Sequence, residues 1–182
     1  AQCEKTSGFD VAGDHYYHYG HTWARVEYGG RVRVGIDDFA LRLLGKQDEI
    51  RLPTLGATVG QNKTQAIIRR SGNQAETLSP VDGKVVAVNH RIAGDAAMVN
   101  ASPYDDGWLM VIQPTALRNN LKNLFFGDES MAWMDDEASR LTALLSDHTG
   151  YRMAATGGEA LRDIYGTVTD IGWDRLVEEF LG

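Results

Sequence analysis

From Thr22 the chain alternates with a period of two: Trp23, Arg25 and Glu27 interleave with Ala24, Val26 and Tyr28. That period puts successive side chains on opposite faces of a strand. Gly29-Gly30 supplies the positive φ angles of a tight hairpin turn. The return run places Val32, Val34 and Ile36 on one face and Arg31 and Arg33 on the other. Asp37 or Asp38 is positioned to cap a short helix carrying Phe39, Leu41, Leu43 and Leu44, and Gly45 to end it. Short runs punctuated by Gly56, Gly60, Gly72, Gly83 and Gly94 come next, the pattern of a small barrel or sandwich of short strands.

After Pro114 the period becomes helical. Leu117, Leu121, Leu124 and Phe125 form one stripe, closed by Gly127. Met134, Ala138, Leu141 and Leu145 form a second. Trp173, Leu176, Val177, Phe180 and Leu181 form a third, with Asp174, Glu178 and Glu179 turned outward. None is long enough to stand alone in water, so each must dock on the body of the chain, on another stripe or on a partner. Residues 1–20 are polar and aromatic without a period and read as an irregular lead-in. The predicted organisation is that lead-in, a β-rich domain over 21–114, and a helical extension over 115–182.

A length of 182 residues suits one domain, or one domain with a helical appendage. Hydrophobic and charged shares of 43% and 24% are ordinary for a globular chain. The net charge of −7 argues against nucleic acid as a partner, because phosphate contacts need clustered Lys and Arg. From Pro114 onward there are twelve Asp and Glu against six Lys and Arg. That excess serves solubility, or marks an acidic docking face. Cys3 is the only cysteine, so no internal disulfide can form and a reducing cytoplasm is expected. No apolar run approaches the roughly 18 residues of a membrane span, and no signal peptide opens the chain. The first residue is Ala1, consistent with a processed or truncated product.

Candidate chemistry is sparse. His15, His18 and His21 are spaced by three, and on a helix they would share a face with a zinc set completed by Asp14 or Cys3. Gly20 and the strand-like run after His21 disfavour that helix, so packed or surface histidines, without a metal, are expected. Thr156-Gly157-Gly158-Glu159 lacks the GxxxxGK[ST] spacing of a phosphate-binding loop and reads as a helix cap before Ala160-Leu161. There is no GxSxG, HExxH or CxxC, and the chain is not expected to be an enzyme.

Several blocks resemble one family. They are His21-Thr22-Trp23 with Ala24-Arg25-Val26-Glu27, Val34-Gly35-Ile36-Asp37-Asp38-Phe39-Ala40 with Leu44-Gly45, and Leu52-Pro53-Thr54-Leu55-Gly56. Ser79-Pro80-Val81-Asp82-Gly83-Lys84-Val85 comes after them, then Val99-Asn100, Pro103-Tyr104 and Gly107-Trp108-Leu109. In this order and spacing they resemble the lipoyl-carrying H protein of the glycine cleavage system. The resemblance implies a mainly β fold over 21–114, the barrel-sandwich hybrid (single hybrid motif) of the lipoyl and biotinyl carriers.

In that family a lysine at a hairpin tip follows the Leu-Pro pair by twenty residues and precedes the Ser-Pro pair by seven. Both counts land here on Gly72. A glutamate commonly stands three residues before the lysine; here the position holds Arg69, followed by Arg70. Asn73 and Gln74 come next, and a Gly-Asn pair forms turns well. Lys63 and Lys84 lie off the tip, near the base of the arm and beyond the Ser-Pro corner. The expected function is that of a non-catalytic, non-lipoylated module without cofactor, binding a protein partner as a scaffold or regulatory domain. The alternatives are a working lipoyl-type carrier in glycine cleavage, which Gly72 opposes, and an enzyme or metal protein built on the N-terminal histidines and the C-terminal extension.

Overall fold

Ser7 and Gly8 both have positive φ, 52° and 89°, and turn the chain between β1 (Cys3–Thr6) and β2 (Phe9–Ala12), which pair with Thr6 opposite Phe9. β3 (Tyr16–Tyr17) then joins the edge of the main sheet. The first twenty residues are therefore not irregular. Phe9, Val11 and Ala12 are buried, but four residues per strand are too few to declare a period in sequence. The computed structural model describes residues 2–149 and 159–182.

β4 (Thr22–Val26) and β5 (Val32–Ile36) form the expected hairpin. Trp23 lies across Gly35, where a side chain would collide with the indole, and its Nε1 donates to Ile36 O (3.2 Å) and Pro103 O (3.1 Å). α1 (Asp38–Leu44) is capped by Asp37, whose carboxylate accepts from Ala40 N. It ends at Gly45 (φ 71°), whose N–H returns to Leu41 O. β6 (Glu49–Arg51), β7 (Thr58–Val59), the long pair β8 (Thr64–Arg70) and β9 (Asn73–Leu78), and β10 (Gly83–Val88) come next. Short helices α2 (Arg91–Gly94) and α3 (Ala97–Ala101) lead to β11 (Met110–Pro114).

The main sheet has the order β3-β4-β5-β11-β10-β7, and a second holds β6-β8-β9. Among the described residues the paired strands of these sheets all run antiparallel, and an isolated bridge between Gln61 and Ser79 is parallel. The sheets do not close into a barrel. The architecture is mainly β with helices, as the resemblance implies.

α4 (Leu117–Leu121) stops short of the predicted stripe. Phe125 exchanges backbone hydrogen bonds with Tyr17 at 2.8 and 2.9 Å, so its peptide groups serve a bridge rather than a helix. α5 (Asp128–Thr149) buries Met134, Ala138, Leu141 and Leu145, as its period requires. After α6 (Ile164–Thr167), α7 (Trp173–Phe180) buries Trp173, Leu176 and Phe180 against the body, and Leu181 just beyond it. Phe180 meets Phe39 of α1 at 5.2 Å between ring centroids. The third stripe thus docks on its own chain. Of the cap predicted at Thr156-Gly157-Gly158-Glu159, residues 156–158 lie outside the described residues. Ala160 and Leu161 are not helical, and the next helix is capped by Asp163. Among the described residues, no helix is long and apolar enough to cross a membrane.

Candidate functional site

The arm made by β8 and β9 keeps its register to Arg70 opposite Asn73, which leaves Ser71-Gly72 as a two-residue loop. Their φ angles are 49° and 83°. Two central residues with positive φ are the signature of a type I′ turn, whose twist matches that of the strands. The turn therefore sits on Ser71-Gly72, and Asn73, expected to share it, begins β9. Both loop residues are exposed. Among the described residues, nothing lies within 4 Å of where a Cβ on Gly72 would sit. A lipoyl group is held through an amide to a primary amine. Arg70 to Asn73 offer a guanidinium, a hydroxyl and a carboxamide but no amine. This tip does not fit that group.

Just behind the loop the arm is tied to the C-terminal segment. Arg70 donates from Nη1 to Asp163 Oδ1 (2.7 Å) and to Leu44 O (2.7 Å), and from Nη2 to Asp163 Oδ2 (2.9 Å). Its guanidinium also lies 5.0 Å over the Tyr165 ring. Arg70 beside Asp163 holds that carboxyl below the usual carboxylate range, against the opposing effect of partial burial. Asn73 Nδ2 donates to Tyr165 Oη (3.0 Å), and Trp173 Nε1 donates to Gln74 O (3.0 Å). On the other side Ser71 N donates to Asp48 Oδ2 (2.7 Å).

Arg69 behaves differently. Its side chain comes only within 3.8 Å of Glu49, and its Nε finds no partner among the described residues. Lys63 and Lys84 face a separate groove of about 460 Å³ shared with Asp82, Gly60 and Thr115, at the base of the arm.

The three spaced histidines do not converge, because β3 and the turn at Gly20 separate their rings. His15 Nδ1 lies 2.7 Å from Asp14 Oδ1, with the ring edge-on to Trp23 and Tyr104. His18 Nδ1 accepts from Gly20 N (2.9 Å), which leaves Nε2–H to donate to Asn62 Oδ1 (2.6 Å). Burial pushes both imidazoles below the ordinary histidine value. Among the described residues, no group of three or more His, Cys, Asp or Glu is arranged to hold a metal.

His21 is the exception electrostatically. It is fully buried and left-handed (φ 67°), stacked between Phe39 and Trp133 at 4.2 and 4.7 Å. Nδ1 lies 2.7 Å from Asp37 Oδ2 and Nε2 lies 2.9 Å from Glu137 Oε1. Burial pulls its pKa down, but the two carboxylates outweigh it and raise the imidazole to about 9. Glu137 is braced in turn by Arg140 Nε (2.8 Å). Sequence reasoning gave Asp37 only its capping role and missed Glu137, which reaches His21 across 116 residues with no local signal. Asp37 and Glu137, one at each ring nitrogen, join α5 to the strand body through His21.

Comparison with known proteins matches the Glycine cleavage H-protein family over residues 15–137. The matched region ends on the carboxylate that binds His21. Among curated relatives, the glycine cleavage system H protein of Stenotrophomonas maltophilia (strain R551-3) is 38% identical over 104 residues, covering 57% of this chain and 79% of that one. The one from Anoxybacillus flavithermus (strain DSM 21510 / WK1) is 38% identical over 113 residues, covering 62% and 87%. The crystal structure of a glycine cleavage system H protein from Mycobacterium marinum superposes with a TM-score of 0.55 at 32% identity, covering 58% of this chain and 87% of that one. With well over half of its length matched in register, this chain belongs to the glycine cleavage H-protein family.

Proposed function

We propose that this chain is a non-lipoylated, non-catalytic member of its family, a cytoplasmic module that works by binding a protein partner as a scaffold or regulator. The observation that carries the reading is the arm tip, where an ordered Ser71-Gly72 turn presents no amine and the flanking Arg70 is engaged by Asp163. A carrier arm has to offer its acylated side chain to several enzymes in turn; this tip offers only backbone and a hydroxyl. A protein partner is supported by relatives named as parts of a glycine cleavage system, and by the exposed acidic residues Asp128, Glu129 and Asp136 along α5.

The competing reading, a working lipoyl-type carrier in glycine cleavage, is favoured by membership of the family itself. It would have to use another amine, and Lys63 and Lys84 lie off the tip, at the groove by the base of the arm. Expressing the protein with lipoate and a lipoate-attaching enzyme, then weighing it intact, separates the two. No mass gain is expected. A gain of one lipoyl group, mapped to Lys63 or Lys84, would overturn the proposal and restore the carrier.

A further inference from the structure

Away from the arm tip, α1, α3 and the residues leading into α6 enclose a cleft of about 440 Å³. Its size lies within the range of small-molecule sites, roughly 300 to 1,000 Å³. The polar side chains lining it are Asp38, Arg42, Lys46, Asn100, Arg162 and Asp163.

The carboxylates there are already engaged. Asp38 Oδ2 accepts from Arg42 Nε (2.8 Å) and Asp10 N (2.8 Å). Asp163 is held by Arg70 on both oxygens. Arg42 is almost fully buried and spends Nη1 on Ala160 O (2.8 Å). The other two cations are not matched. Lys46 is exposed and makes no ion pair among the described residues, and Arg162 comes only within 3.8 Å of Glu159. The uncompensated charge around the cleft is therefore positive.

Asn100 supplies the second observation. Its Nδ2 donates to Gly45 O (3.2 Å) and Leu41 O (3.4 Å), the carbonyls at the end of α1. That role fixes which way the amide points, because only the nitrogen can donate. The Oδ1 is left buried, with no donor among the described residues. A buried acceptor without a donor is unfavourable and is normally satisfied by a bound group.

We propose that this cleft binds a small organic anion that also carries a hydroxyl or amino donor. The anionic end meets Lys46 and Arg162, and the donor satisfies Asn100 Oδ1. The buried Asp38–Arg42 pair forms a neutral floor. A carboxylate and a phosphate monoester share this chemistry, and the test distinguishes them. The site adjoins Arg70 of the arm through Asp163 but uses no atom of the Ser71-Gly72 turn, so its fate does not depend on the reading of Gly72.

The full chain, labelled with ¹⁵N, is titrated separately with glycerate, glycerol 3-phosphate and inorganic sulfate. Saturable binding of glycerate or glycerol 3-phosphate is expected, with a dissociation constant of about 1 mM or tighter. Whichever of the two binds more tightly identifies the anionic group. The Asn100 side-chain amide should shift, and inorganic sulfate, which carries no donor at neutral pH, should bind several-fold more weakly. The double variant Lys46→Met with Arg162→Met removes exposed charges, so its thermal melt should match the parent while affinity falls about tenfold. Absence of saturable binding by both organic anions would overturn the proposal. So would affinity unchanged in the double variant, or sulfate binding as tightly as the organic anions.

Discussion

The guanidinium of Arg70 grips both carboxylate oxygens of Asp163, at 2.7 and 2.9 Å, across 93 residues of sequence. The pair fastens the arm of the β-sheet to the C-terminal segment. Asp163 also caps the helix that begins just after it, accepting from Gly166 N at 2.9 Å. One side chain thus organises the segment and ties it down.

Asp163→Ala removes both contacts. The pair is partly exposed, with 19% and 39% of the two side chains accessible, and screening limits it to about 1 kcal/mol. Asp163 has a depressed folded pKa. Its stabilisation is therefore present above the unfolded carboxylate value and is lost as pH falls through the folded one. Urea unfolding should show the variant about 1 kcal/mol weaker at neutral pH, with the gap closing well below the carboxylate range. A gap that persists in acid would show that the cap and packing matter more than the charge.

The His21 centre carries the opposite sign. Its folded pKa is about 9, above the ordinary histidine value of about 6.5. The stabilisation from the imidazolium is thus complete below the unfolded value and lost as pH rises through about 9. Denaturation monitored from neutral to alkaline pH should show stability falling over that window. Glu137→Ala leaves the imidazolium to Asp37 alone and its Nε2–H without an acceptor, and should cost about 2 kcal/mol at neutral pH. Ring-proton chemical shifts of His21 are the direct check, and a titration below neutrality would contradict the assignment.

Restoring an amine to the tip is not expected to restore modification. Gly72→Lys forces an L side chain to φ 83°, at a cost of about 1 kcal/mol, and leaves Arg69 where the family commonly has glutamate. The double variant Arg69→Glu with Gly72→Lys should be lipoylated appreciably better than the single one. Equal labelling of the two by an attaching enzyme would show that the reversed charge does not matter.

Deleting residues 168–182 should lower the melting temperature sharply while the protein stays monomeric. The segment buries Trp173, Leu176, Phe180 and Leu181, each stabilising by about 1.5 to 3 kcal/mol when fully buried. A thermal melt beside a sizing column decides it. An unchanged melt would mean that α7 contributes little to the body it covers.

The hairpin at Gly29-Gly30, the cap at Asp37 with its stop at Gly45, and the stripe of α5 were all legible in sequence. Each depends on hydrogen bonds or side-chain spacing among residues that are near neighbours in the chain. The counts from Leu52 and from Ser79, which the family resemblance supplied, likewise pointed to Gly72, and the arm turns there on Ser71-Gly72. Tertiary structure decided the rest. Phe125 left its helical stripe because the backbone of Tyr17 was there to pair with it. Cys3–Thr6 and Phe9–Ala12 became strands through pairing with one another, and Phe9–Ala12 is buried against α1 and α5. Arg69 and Arg70 are adjacent and identical, yet one is loosely held and the other is locked to Asp163. His21 owes its raised pKa to Asp37 nearby and also to Glu137, which arrives from 116 residues away. Local pattern fixes the elements, whereas the partners of a buried or half-buried charge are chosen by whichever distant segments the fold brings within about 3 Å.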